Sequence, residues 1–212
     1  MSQLHATPSE ASPRKLGFYG GAFDPPHLAH LALAKHAIAR LDLDALHVVP
    51  TGQAGHKAPS RTPAFHRLAM LSLTFAGIPQ VVIDDRETRR SGLSYTVDSL
   101  QELHVEHPQA QWFLIIGEDQ AKSLESWRDW QKIVQIAQVV VAARASEDPP
   151  SSSVGRWHNR AAQNAIDMAF PSMDISATRI REAVEQGRSI SPWVNPNVND
   201  YIQHHHLYRQ TR

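Results

Sequence analysis

The stretch KLGFYGGAFDPPHLAHLALAKHAIARL, residues 15–41, decides the fold, because an apolar run passes through a glycine turn straight into helical periodicity. Residues 15–20 read as a buried first strand, and residues 28–41 carry apolar side chains at helical spacing among strong helix formers. Gly20 and Gly21 allow close backbone approach and a positive φ. Asp24 supplies an N-cap, and Pro25 and Pro26 suit the first helical positions. A helix that starts in this way turns its N-terminus toward the strand's carboxyl end and offers unpaired amides and partial positive charge to an anion. His27 and His30, at i and i+3, predict two imidazoles on one helical face. Each donates a hydrogen bond whether neutral or charged. The glycines, cap and strand around them favour a phosphate role over a zinc pair. With no Cys in the chain and no third ligand at metal spacing, no protein metal site is predicted.

Outward from this turn, short apolar runs at 46–50, 81–84, 112–117, 138–143 and 165–170 alternate with helical patterns at 65–77, 96–107 and 127–137. That order predicts an α/β fold with a doubly wound, Rossmann-like parallel sheet. Residues 1–14 read as a flexible tail and 15–212 as a single domain, its C-terminal part, about 174–212, helical. Ligands of such sheets bind beyond the carboxyl ends of the strands, where strand order reverses. The segments that follow each apolar run are therefore the ones to inspect.

After the second run, TGQAGHKAPSRTP (51–63) brings His56, Lys57 and Arg61 in a Gly- and Pro-rich loop, either a phosphate flap or solvated surface. After the third, Ser94, Tyr95 and Thr96 open a helix whose amides face the same end, though capping alone also explains them. After the fourth, Gly117 and Asp119 stand at the strand end, Asp119 as a ribose-hydroxyl partner or a plain N-cap. Trp127 and Trp130 predict one core indole and one at a pocket rim, able to stack on a planar ring. In DISATRIREAVEQGRS (174–189), Ser176 or Thr178 caps a helix carrying Arg179 and Arg181 in its first turns. An arginine there opposes the helix dipole, so Arg181 implies an anionic ligand. Arg179 is expected to be solvated and paired with Glu182 or Glu185.

Composition narrows the partners. The 212 residues are 42% hydrophobic, and 21 Lys plus Arg balance 21 Asp plus Glu, so no basic field points to nucleic acid. No signal-type core or membrane-length apolar run is present, which makes a soluble cytoplasmic protein the expectation. Self-association as a homo-oligomer is left open. GxGxxG is missing from the first turn, which argues against a dehydrogenase.

Assembled, these residues resemble the nucleotidyltransferases with an HxGH-type motif, and among them the bacterial nicotinate-nucleotide adenylyltransferases. GGAFDPPHLAH resembles that family's GGxFDPxHxGH, GHK its phosphate-loop HK, SYTVDSL its SYTxDTL, and GEDQ with WRDW its GxDx and WxxW. ISATRIR is similar to ISSTxIR, and WVNPNVNDYIQHHHLYR to the C-terminal YLVPxxVxxYIxxxxLY. Ala29 and Ala177 stand where the family has Gly and Ser, and Glu118 and Gln120 flank the retained Asp119. The resemblance implies catalytic roles for His27, His30 and Arg181, and ATP contacts from Gly20, Gly21, Phe23, Gly117, Asp119, Ser176 and Thr178. It implies nicotinate mononucleotide contacts from Lys57, the Tyr95 and Thr96 amides and Trp127, with Mg²⁺ held mainly by the triphosphate. The implied reaction is adenylyl transfer from ATP to nicotinate mononucleotide. Nicotinamide mononucleotide as acceptor, or a nucleotide-binding module without turnover, are the alternatives.

Overall fold

The computed structural model describes residues 13–54, 62–144, 160–171 and 173–209. In chain order the elements are β1 (Lys15–Gly21), α1 (Leu28–Leu41), β2 (Ala45–Pro50), β3 (Gln53–Ala54), α2 (Ala64–Thr74), β4 (Val81–Ile83), α3 (Arg86–Arg89) and β5 (Leu93–Ser94). They continue with α4 (Thr96–Glu106), β6 (Gln111–Gly117), α5 (Glu118–Ser123), α6 (Trp130–Ile136), β7 (Ala137–Arg144), β8 (Ile166–Phe170), α7 (Ala177–Glu185) and α8 (Pro196–His204). Six strands form one sheet in the order β4-β2-β1-β6-β7-β8. Every pairing in it is parallel.

Helices cover both faces of this sheet, so its strands read as unbroken apolar runs; β2 is buried along its whole length. Side chains alternate between the faces. Trp112, Leu114 and Ile116 of β6 join Leu100 and Leu103 of α4 in one apolar cluster, while Phe113 and Ile115 join Leu33 and Ala37 of α1 in the other. A third cluster packs Met70 of α2 against Ile180 of α7 and Val198 and Ile202 of α8. From β1 the chain steps outward through β2 to β4, then returns to β6 on the opposite flank and continues to β7 and β8. The reversal lies between β1 and β6, and the crevice beyond their carboxyl ends is where a ligand fits.

Three local expectations differ from the structure. The helix expected over 127–137 starts only at Trp130, because Asp129 takes a left-handed conformation (φ 50°) that interrupts it. Asp tolerates that region better than most residues. Trp127 instead closes a short 3₁₀ turn, Leu124–Ser126. The helix expected to run to Gly77 ends at Thr74. The loops after β2 and before α4 are zipped by a two-strand parallel ladder, β3 with β5, which no periodicity announces in segments this short.

Candidate active site

A cavity of about 500 Å³ opens at the carboxyl ends of β1 and β6, within the usual range for a small-molecule site. One wall is the turn from β1 into α1. Neither Gly20 nor Gly21 has a positive φ; their value is close approach. A Cβ at Gly21 would press on the Phe23 ring at 3.0 Å, and one at Gly20 on the Phe18 ring at 3.1 Å. Phe23 takes the left-handed conformation instead (φ 48°), and its buried ring meets Tyr19 and His30 edge-on.

Asp24 is not the cap of α1. The helix begins at Leu28 with His27 as N-cap. Proline disfavours helical geometry in the residue before it, so consecutive Pro25 and Pro26 delay the start. Asp24 is instead buried: its Oδ1 accepts from the Tyr208 hydroxyl at 2.7 Å, its Oδ2 from the Thr62 amide at 3.3 Å, and its carbonyl from Arg181 Nη1 at 2.6 Å. Of the amides that open α1, that of Leu28 donates to the Trp193 carbonyl at 2.8 Å.

His27 and His30 line the cavity as a stacked pair, ring centroids 3.6 Å apart and 20° from parallel. His30 Nδ1 accepts from the His27 amide at 3.1 Å. In a neutral imidazole this leaves the proton on Nε2, which makes His30 a donor there. His27 Nδ1 is buried with no partner among the described residues. Burial lowers the His27 imidazole from 6.5 to about 4, and burial together with the neighbouring His27 holds His30 well below the ordinary value. Both rings are neutral near pH 7.

Arg181 faces the pair from α7. Its Nη2 donates to Thr178 Oγ1 at 3.1 Å, and its Nε is buried without a partner among the described residues. Ser176 caps α7, accepting from the Arg179 amide at 3.3 Å, and lines the cavity; Thr178 reaches it only through Arg181. Arg179 pairs with Asp174, rather than Glu182 or Glu185, and lies over the Trp193 ring at 5.8 Å.

Gly117 lines the cavity as N-cap of α5, its amide held by Gln120 Oε1 at 3.2 Å. Asp119 is one turn away with its side chain 95% exposed and 3.9 Å from Lys122 Nζ, so it would have to swing inward to meet a ribose. Tyr95, Thr96 and Trp127 also line the cavity. Tyr95, not Ser94 or Thr96, occupies the N-cap of α4. Trp127 and Trp130 both pack against the apolar cluster, and Trp127 is the one that borders the cavity. Lys57, His56 and Arg61 lie outside the described residues.

Two residues of the cavity lining escaped the sequence reading. Arg128 borders the cavity with its guanidinium 4.6 Å from the centroid of the Tyr95 ring; a cation between two tryptophans was its only mark. Glu87 sits in the charged run DDRETRR, yet is 5% exposed. Burial raises its carboxyl, opposed by hydrogen bonds from Ser99 and the Gly52 amide and by Arg90. A Cβ at Gly52 would collide with the Glu87 carbonyl, so the loop after β2 and the segment before α4 close on each other here.

A parallel sheet with paired imidazoles, an arginine and helix N-termini around its switch point suits a phosphorylated ligand. Residues 18–183 match the cytidylyltransferase-like family. A relative from Albidiferax ferrireducens, described as "Probable nicotinate-nucleotide adenylyltransferase", is 47% identical over 92% of this chain and 98% of its own. One of the same description from Methylibium petroleiphilum is 38% identical over 95% and 96%. The solved Plasmodium falciparum nicotinic acid mononucleotide adenylyltransferase complexed with NaAD shares the fold, with a TM-score of 0.73, 20% identity and coverage of 92% of this chain and 97% of that one. The chain belongs to the cytidylyltransferase-like family and, within it, to the nicotinate-nucleotide adenylyltransferases.

Proposed function

We propose that the protein transfers the AMP moiety of ATP to nicotinate mononucleotide, giving nicotinate adenine dinucleotide and pyrophosphate. The observation that carries this reading is the meeting of His27, His30 and Arg181 on the lining of one cavity, the two imidazoles stacked. A phosphate oxygen of the mononucleotide attacks the α-phosphorus of ATP in line, the bond to the β-phosphate breaks, and its electron pair leaves with pyrophosphate. No covalent intermediate with the protein is needed. Orientation of two polyanions in one cavity supplies roughly 7 to 11 kcal/mol of such a barrier, and His27, His30 and Arg181 carry the charge that develops on the departing phosphates. Gly20, Gly21, Phe23, Gly117 and Ser176 shape the ATP side; the Tyr95 and Thr96 segment, Trp127 and Lys57 serve the acceptor.

Arg128 and Arg181 both put positive charge on the cavity lining. Arg181 suits the triphosphate, and Arg128, beside Tyr95 and Trp127, favours an acceptor ring bearing a carboxylate over one bearing a carboxamide. Magnesium enters with the triphosphate as substrate. Among the described residues no group of three or more His, Asp or Glu could hold a metal ion, and the cavity carboxylates Asp24 and Glu87 are engaged by protein donors. No helix among the described residues is long and apolar enough to cross a membrane; the same reading sets the reaction in the cytoplasm.

The test supplies ATP and Mg²⁺ with each mononucleotide in turn and follows pyrophosphate. The acid should react faster than the amide. ATP binding with no pyrophosphate from either acceptor overturns the proposal in favour of a nucleotide-binding module.

A further inference from the structure

The C-terminal run NDYIQHHHLYR, residues 199–209, has no place in the cavity, yet it delivers one hydroxyl to the back of the cavity wall. Tyr208 does not line the site. Its backbone is left-handed (φ 61°), as is that of His206 (φ 52°), a conformation costly for a bulky side chain and kept only where surroundings enforce it. The result is that the phenol turns inward onto Asp24, 184 positions earlier in the chain, at 2.7 Å. Burial and the adjacent carboxylate raise the phenol well above its ordinary value, so it remains a donor. The Asp24 carboxylate also accepts from the Thr62 amide, and Arg67, itself 3% exposed, clamps the surroundings by donating to the carbonyls of Thr62 and Ala22. With the side chain of Asp24 fixed from behind, its carbonyl receives Arg181 Nη1.

We propose that Tyr208 is a positioning residue for the reaction: by holding Asp24 it sets the carbonyl that aims Arg181, and so tunes the triphosphate wall without touching substrate. This rests on the reading of that wall as the ATP side. The C-terminal segment reaches the turn at a second point, through the Trp193 carbonyl on the Leu28 amide, so it is tied to the start of α1 as well as to Asp24.

The discriminating variant is Tyr208→Phe, which removes the hydroxyl alone. kcat/KM for ATP should fall about tenfold, the scale of one lost buried hydrogen bond to a charged group, with KM for the mononucleotide within about twofold of wild type. Tyr201→Phe is the control: its hydroxyl, on α8 and 2.9 Å from His66 Nδ1, is bonded to neither Asp24 nor Arg181. Both variants should lose a similar few degrees of melting temperature, and only Tyr208→Phe should lose ATP turnover. Unchanged ATP kinetics in Tyr208→Phe, or an equal loss in Tyr201→Phe, overturns the inference. Should Tyr208→Phe fail to fold, exchange of the Thr62 amide is followed in wild-type protein. Saturating ATP should slow it, and no change rejects the coupling. Wild-type protein that fails to turn over ATP with either mononucleotide sinks the functional reading instead, so the two failures are distinct.

Discussion

The stacked imidazoles set a demand that a single substitution can read. His30, with Nδ1 committed to the His27 amide, has only Nε2 to offer a phosphate. His30→Ala should lower kcat about 100- to 1,000-fold, the cost of one donor to a charge-developing oxygen, while leaving the mononucleotide KM nearly unchanged; steady-state kinetics with each substrate varied in turn checks this. Arg128 acts on choice rather than speed. Because it is solvent-exposed, screening keeps its influence small, on the order of 0.2 to 1 kcal/mol. Arg128→Ala should therefore narrow the acid-over-amide ratio of kcat/KM about two- to fivefold. At this scale much of the site was legible: His27, His30, Arg181, Ser176, Tyr95 and Trp127 all border one cavity. Glu87 was not, because burial of a carboxylate inside a charged run depends on Ser99 and Gly52, which meet it only in three dimensions.

Helices and strands followed from periodicity wherever it was long. The six sheet strands fell on the six apolar runs, and α1 matched residues 28–41 to the residue. What periodicity could not supply was termination. Asp129 breaks the helix at Trp130 through its own backbone conformation, and Pro26 displaces the cap from Asp24 to His27. The docking of α7 and α8 onto α2 was also invisible, since an amphipathic helix does not reveal which surface it covers. That docking has a stability of its own. Ile202, 1% exposed in the third cluster, should cost about 2 to 5 kcal/mol when cut to Ala, the usual range for an emptied core position. Urea unfolding followed by tryptophan fluorescence would measure it, with ATP affinity falling in parallel because the same unit holds Leu28 and Asp24.

Across the whole molecule, acid should act in two separate windows. His27 titrates at about 4 when folded and 6.5 otherwise. Between those values the unfolded chain takes up protons that the folded chain refuses, so stability falls as pH drops through that range. A bound triphosphate favours the imidazolium, so the rise in melting temperature given by ATP should be larger near pH 5 than near pH 7.5. Asp84 governs the second window. Burial alone would raise its carboxyl, but His47 at 3.0 Å and the backbone and guanidinium of Arg86 prevail and bring it from 3.8 to about 2. Its contribution, on the order of 2 kcal/mol, is complete above the unfolded value and disappears as pH falls from 3.8 toward 2. Asp84→Asn should flatten only that lower limb of a thermal-denaturation profile.

The bond from Tyr208 to Asp24 also bears on how the protein is born. Synthesis delivers Asp24 a full 184 residues before its brace, so a nascent polypeptide still tethered to the ribosome can lay down most of the sheet while Arg181 lacks its final alignment. Full catalytic efficiency thus comes after translation has passed Tyr208, and a chain clipped just ahead of that tyrosine would fold into an enzyme-shaped body with a slack grip on its nucleotide.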